Sequence, residues 1–152
     1  MSLADGFAEG RQLDAHRQAC VDAARALVGT PWRHRGRNER GIDCIGLIVA
    51  ALRAGDFPIK DRIDYGREPW ADGLRRELSG QFGEPLQESA WQPGDIVLFD
   101  LPGKEPCHVG ILADYRFGGL SLIHAHSRHN VAEHGLDGLW RRLLVEVYSC
   151  RP

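Results

Sequence analysis

The chain lacks the features that assign a protein to a special environment. No apolar run approaches the length needed to span a bilayer, which argues against an integral membrane protein. The four cysteines, Cys20, Cys44, Cys107 and Cys150, include no CxxC pair. Their spacing therefore suggests neither a zinc knuckle nor a dense disulfide framework, and free thiols are expected. An excess of one charge is also missing. Lys and Arg number 19 against 21 Asp and Glu, and the net charge of −2 gives no global electrostatic reason to bind nucleic acid or an anionic membrane. The opening MSLADGFAEGRQLDAHRQ has no basic segment leading into an apolar run and no small-residue cleavage site. The expectation is a protein made in a reducing cytoplasm without a secretory signal. The sequence shows no internal repeat and no linker.

What is present is an ordinary globular composition. A length of 152 residues, 43% hydrophobic and 26% charged, predicts one compact domain over residues 1–152. Leu13, Cys20, Ala23, Ala24, Leu27 and Val28 recur at helical spacing and stop at Gly29, with Pro31 beyond. Cys20 falls on the apolar stripe of that helix, where a small packing residue is expected. A polar, basic loop, TPWRHRGRNERG, follows, and Cys44 then opens an apolar helix that ends near Gly55. Leu74, Leu78 and Phe82 suggest another short helix. From Trp91 the pattern changes: QPGD is placed for a type II turn, and IVLF, HVGILAD, LSLIHAHS and LLVEVYS read as strands. Helices first and an antiparallel meander afterwards predict an α+β domain with helices on one face of the sheet.

Two places carry chemistry. A helix N-terminus concentrates positive partial charge and unpaired N–H groups, so Cys44 is expected to be driven toward thiolate and to act as a nucleophile. The flanking Gly41, Asp43 and Gly46 are costly choices for mere packing. A thiolate nucleophile needs a base. Strand alternation puts His108, Gly110 and Leu112 on one face, and Cys107, Val109 and Ile111 on the other. Cys107 thus turns away from His108, which disfavours a Cys–His metal pair. A hairpin symmetric about Arg116 sets His108 opposite His124, with Cβ atoms roughly 5 Å apart, close enough for one ring to orient the other. A hairpin symmetric about Phe117 selects His126 instead, and alternation does not separate the two. His129 and His134 fall in the following loop, where exposed histidines are expected.

This combination resembles the NlpC/P60 family of cysteine peptidases, which have a papain-like fold. GTPWRHRG at residues 29–36 resembles the family's GTPY-x-WGG segment, and GIDCIGLI its DCSGL nucleophile motif. WQPGDIVLF is similar to the PGD strand, HVGILAD to the strand that begins with the catalytic histidine, and LIHAHS to the segment that supplies the third polar residue. Together these cover roughly residues 19–134, and their order is more specific than any one motif. The resemblance implies Cys44 as nucleophile, His108 as base and His124 as its orienting partner. Trp32 stands where the family usually has tyrosine; an indole N–H donates a hydrogen bond and cannot accept one. Ile45 replaces the family's serine, as in members from phage tails and gene transfer agents, which the WRRLL segment also resembles.

The resemblance implies hydrolysis of peptidoglycan stem peptides, often between D-glutamate and diaminopimelate, with no cofactor and no metal. Arg33, His34, Arg35, Arg37 and Arg40 form a basic rim suited to substrate carboxylates. Trp32, Arg33, Arg35 and Asp43 are the candidate substrate contacts, and tail-tip or baseplate proteins of a phage-like particle are the candidate partners. A structural tail component that keeps the fold without catalysis is the rival from another class. A zinc site built from His108, His124, His126 and a cysteine is a third reading, ranked lower because Cys107 faces away. An acyltransferase on the same fold shares the acyl-enzyme chemistry.

Overall fold

The computed structural model describes residues 13–67, 73–101, 107–127 and 129–151. Helix α1, Ala15–Ala26, starts where the Asp14 side chain accepts a hydrogen bond from the Arg17 amide, satisfying one of the unpaired donors of the first turn. It stops at Leu27, and Gly29 follows at φ 95°. Its inner face buries Arg17, Cys20, Val21 and Ala24. The buried Arg17 guanidinium meets Asp95 at 2.8 Å, tying the helix to the turn before the sheet. In that turn Gly94 has φ 97°, which is what the third position of a type II turn requires.

A two-stranded hairpin comes next, β1 at Arg37–Asn38 and β2 at Gly41–Ile42. It leads directly into α2, Cys44–Ala54, which is capped by Asp43 and ended by Gly55. Helix α3, Leu74–Phe82, buries Leu74, Leu78 and Phe82, the residues whose spacing predicts it.

Five strands form an antiparallel sheet: β3 Ile96–Phe99, β4 His108–Asp114, β5 Leu120–His124, β6 Ala132–Gly135 and β7 Leu144–Tyr148. Their spatial order is β6-β5-β4-β3-β7. The α+β architecture is as expected, with differences. The sheet is not a simple meander, because β7 returns to pair with β3 on the side away from β4. Strand β6, AEHG, falls where a loop is expected, since four residues with one aliphatic side chain carry no readable alternation. Helices also do not keep to one face. Ile96, Leu98, Val109, Ile111 and Ile123 pack with residues of α1, α2 and α3. Val97, Phe99, Leu112, Leu122 and Val147 form a second layer, joined by Trp91 and by Trp140 and Leu143 from a short helix α4, Gly138–Leu143.

The β4–β5 register pairs Ile111 with Ile123 and Leu112 with Leu122. The hairpin is therefore centred on Phe117, not Arg116. Gly118 and Gly119, both at positive φ, place the reversal one residue later than a turn centred on the arginine.

Candidate active site

Cys44 is the first residue of α2, and its setting explains the residues around it. Asp43 caps the helix through a 2.8 Å hydrogen bond from the Gly46 amide to Oδ1. The same oxygen accepts from Arg37 Nη1 at 3.1 Å. Its Oδ2 accepts from the Arg35 amide at 2.8 Å and from the Tyr65 hydroxyl at 2.5 Å. The Tyr65 oxygen in turn accepts from Arg37 Nη2 at 2.9 Å. Asp43 is thus a buried junction that clamps loop 33–42 onto the helix start. Gly46 is required by that clamp: a Cβ there would run into the Gly36 carbonyl oxygen.

The expected basic rim is divided. Arg37 turns inward, to Asp43 and Asp61. Arg35 sits at φ 62° and donates to the Tyr65 carbonyl at 2.9 and 2.6 Å. Arg33 is exposed and, among the described residues, makes no ion pair. Trp32 is half-buried, packed against the main core and stacked on His34 with ring centroids 6.4 Å apart.

On the sheet, His108 begins β4 and His124 ends β5. Both are only 4% exposed. His108 Nε2 and His124 Nδ1 are 2.8 Å apart. The register makes this a diagonal contact, because with the hairpin centred on Phe117 the residue facing His124 is Gly110. A Cβ on Gly110 would lie 3.1 Å from His124 Cβ and 2.5 Å from Leu122 Cδ1. The missing side chain is the space through which the His124 ring reaches His108. His126, the alternative partner in that register, lies beside the pair with its ring centroid 5.4 Å from that of His108, and stacks on His129 at 5.3 Å.

His134 and Trp140 belong to the same cluster, and sequence reasoning missed both. His134 lies on β6 rather than in an exposed loop, and its Nε2 is 2.8 Å from His124 Nε2. Trp140, from α4, covers the rings with centroids 4.6 Å from His124, 5.8 Å from His134 and 6.0 Å from His108. Only recognition of β6 would have found His134. Tyr65, in an irregular segment, had no sequence signal at all. Among the described residues no group of three or more His, Cys, Asp or Glu side chains is arranged to hold a metal ion.

Cys44 and His108 come to neighbouring places. The sulfur faces the Val109 amide, one residue along from His108, and the Ile45 amide. Among the described residues no hydrogen bond joins Cys44 to His108, and His108 Nδ1 has no partner. Nor is the thiol driven toward thiolate in this state. Burial, then the Asp43 carboxylate, push it up to about 12, against the opposing pull of the Val109 and Ile45 amides. At 7% exposure the loss of solvation outweighs the helix N-terminus. Burial, followed by the fields of His124 and His126, holds His108 well below its ordinary 6.5. The resting pair is therefore a neutral thiol and a neutral imidazole, the form of each that can give and take one proton.

Comparison with known proteins adds the family. The NlpC/P60 family profile matches residues 29–148. The chain is 30% identical over 122 residues to "Probable endopeptidase NlpC" of Escherichia coli K12, covering 78% of this chain and 68% of that protein. It is also 30% identical over 107 residues to "Probable peptidoglycan endopeptidase LytE" of Bacillus subtilis, covering 70% of this chain and 26% of that one. Among solved structures, an NlpC/P60 family protein from Bacillus cereus superposes with a TM-score of 0.65 at 16% identity, over 90% of this chain and 40% of its own. RipD of Mycobacterium tuberculosis, described as a non-catalytic NlpC/p60 domain protein adapted to peptidoglycan binding, gives a TM-score of 0.57 at 12% identity, over 90% of this chain and 98% of its own. Such identities carry the fold alone, while the profile spans most of the chain: this protein belongs to the NlpC/P60 family.

Proposed function

We propose that the chain is a cysteine peptidase that hydrolyses amide bonds in peptidoglycan stem peptides, with Cys44 as nucleophile, His108 as base and His124 as orienting residue. The observation that carries the reading is the 2.8 Å His108–His124 hydrogen bond beside a cysteine that opens a buried helix. The Cys44 thiol passes its proton to His108 Nδ1 as the sulfur attacks the amide carbonyl, so the ion pair forms together with the new C–S bond. The oxyanion is met by the Cys44 backbone N–H, at the positive end of α2. The imidazolium then protonates the leaving amine, and water, deprotonated by His108, releases the acyl group. Arg33, with Trp32 beside it, is assigned to the substrate carboxylates, and the D-glutamate–diaminopimelate bond to the cleaved position. Arg35 and Asp43 serve the site by holding the loop.

The names of the relatives support the peptidase and its substrate class. Ile45 after the nucleophile and the WRRLL segment support action at the tail tip of a phage or gene transfer agent, in contact with tail-tip or baseplate proteins. A second reading, a structural tail component that keeps the fold without catalysis, has support of its own. The Cys44 thiol is held high and is not hydrogen-bonded to His108, and a fold neighbour is described as non-catalytic. Incubation with defined muropeptides beside a Cys44→Ala control, read by mass spectrometry, separates the two. New fragments from the wild type alone are expected; intact muropeptides with both proteins overturn the peptidase.

A further inference from the structure

Three histidines on three adjacent strands form one hydrogen-bonded chain that ends on a backbone carbonyl. His134 Nδ1 lies 2.9 Å from the Gly135 carbonyl oxygen. Its Nε2 lies 2.8 Å from His124 Nε2, and His124 Nδ1 lies 2.8 Å from His108 Nε2. A carbonyl oxygen can only accept, so the proton on His134 sits on Nδ1. A neutral imidazole then offers Nε2 as an acceptor, so His124 donates from Nε2 and accepts at Nδ1. His108 must therefore donate from Nε2, and its Nδ1 is left with a lone pair. Each ring is committed by the one behind it, and the carbonyl at the end sets the direction of all three.

We propose that His134 is a positioning residue: by accepting the His124 Nε2 proton it holds His108 in the tautomer whose free Nδ1 takes the proton of Cys44. This rests on the peptidase reading for its consequence, though not for its geometry. In the opposite polarity His124 donates from Nδ1, His108 carries its proton on Nδ1, and the ring has no lone pair to offer the thiol. His124 alone does not choose between these states, because it has a donor and an acceptor in either one.

The fold is arranged to keep His134 in place. The residue before it, Glu133, is held by Arg25 of α1 through two 2.8 Å contacts and by the Ser121 hydroxyl at 2.6 Å. These anchors fix edge strand β6 from the opposite face. Ala132, paired with His124 in the register, leaves the diagonal open for His134, as Gly110 does for His124. Trp140 covers all three rings.

The test uses the full chain with ¹⁵N-labelled histidine, long-range ¹H–¹⁵N correlation spectra at neutral pH, and muropeptide cleavage by wild type, His134→Leu and His134→Gln. Wild-type spectra should show His108 and His124 protonated on Nε2 and His134 on Nδ1. In His134→Leu both tautomers of His108 should appear, and kcat should fall about tenfold, the value of one lost hydrogen bond, with KM little changed. Glutamine, whose amide oxygen can accept from His124 Nε2, should restore both the spectrum and kcat. Wild-type spectra with His108 protonated on Nδ1 overturn the proposal, and need no variant to fold. Wild-type tautomers and kcat retained in His134→Leu also overturn it. If the wild type cleaves no muropeptide, the peptidase reading fails by itself, while the tautomer spectra still decide the role of His134.

Discussion

Acidification to about pH 4.5 should destabilise this fold, because His108 and His124 are buried without charge. Burial, then the neighbouring His134, His126 and His129, bring His124 down from 6.5 to about 3, and His108 is displaced in the same direction. In the unfolded chain both rings titrate near 6.5. Between the two values the unfolded state binds the proton and the folded state does not, so stability is full above about pH 6.5 and is lost as the pH falls below it. Each pH unit in that window costs about 1.4 kcal/mol for each group kept neutral. His124 alone therefore accounts for roughly 3 kcal/mol at about pH 4.5, a large share of the ~5–15 kcal/mol that typical domains possess. Asp14, Asp64, Glu133 and Glu146 are all shifted below their ordinary values of 3.8 or 4.5, so their loss falls mainly at more acidic pH, whereas burial raises Asp95, which acts in the opposite sense. Urea unfolding followed by circular dichroism should show the midpoint falling by about 1 M or more between pH 6.5 and 4.5. His124→Asn, which removes one titrating ring, should flatten the slope. A wild-type loss below about 1 kcal/mol over that interval would refute the account of His108 and His124 buried neutral.

Two substitutions test the parts that place the site. Gly110→Ala puts a Cβ 2.5 Å from Leu122 Cδ1 and 3.1 Å from both His124 Cβ and the Ile123 carbonyl oxygen, and backbone cannot yield as a side-chain tip does. A loss of about 1–3 kcal/mol in a denaturation curve and a fall in muropeptide cleavage are expected; an equally stable, fully active variant contradicts the diagonal packing of His124. Tyr65→Phe removes the hydroxyl that donates to Asp43 at 2.5 Å and accepts from Arg37 at 2.9 Å. It should cost about 2–3 kcal/mol and lower kcat through the loosened loop, and a melting temperature equal to the wild type would show that Asp43 does not depend on the phenol.

Helices α1, α2 and α3 were legible because their apolar residues recur at helical spacing, with Gly29 and Gly55 marking the ends of the first two; the six-residue α4 was not, being too short to show a period. Cys44 was visible as the residue that opens an apolar helix. Strands β3, β4, β5 and β7 were legible from their apolar residues, and β6 was not, since Ala132–Gly135 owes its strand geometry to β5 rather than to its own side chains. The choice between His124 and His126 shows the limit clearly. The strict opposite-partner rule, applied to the register present here, selects His126. The hydrogen bond goes to His124, because Gly110 removes the side chain that would block a diagonal reach.

Sequence by itself determined the α+β class, the family resemblance, the cysteine at a helix start and the histidines available on the strands. These are local properties: spacing, capping and alternation act within a few residues of one another. Tertiary structure decided the protonation and partnership of those groups. It buried Cys44 deeply enough to oppose the helix N-terminus, turned Arg37 and Tyr65 onto Asp43, and lined up His108, His124 and His134 behind Trp140. Desolvation and hydrogen-bond direction depend on everything packed around a group, and that surrounding is assembled from segments far apart in the chain.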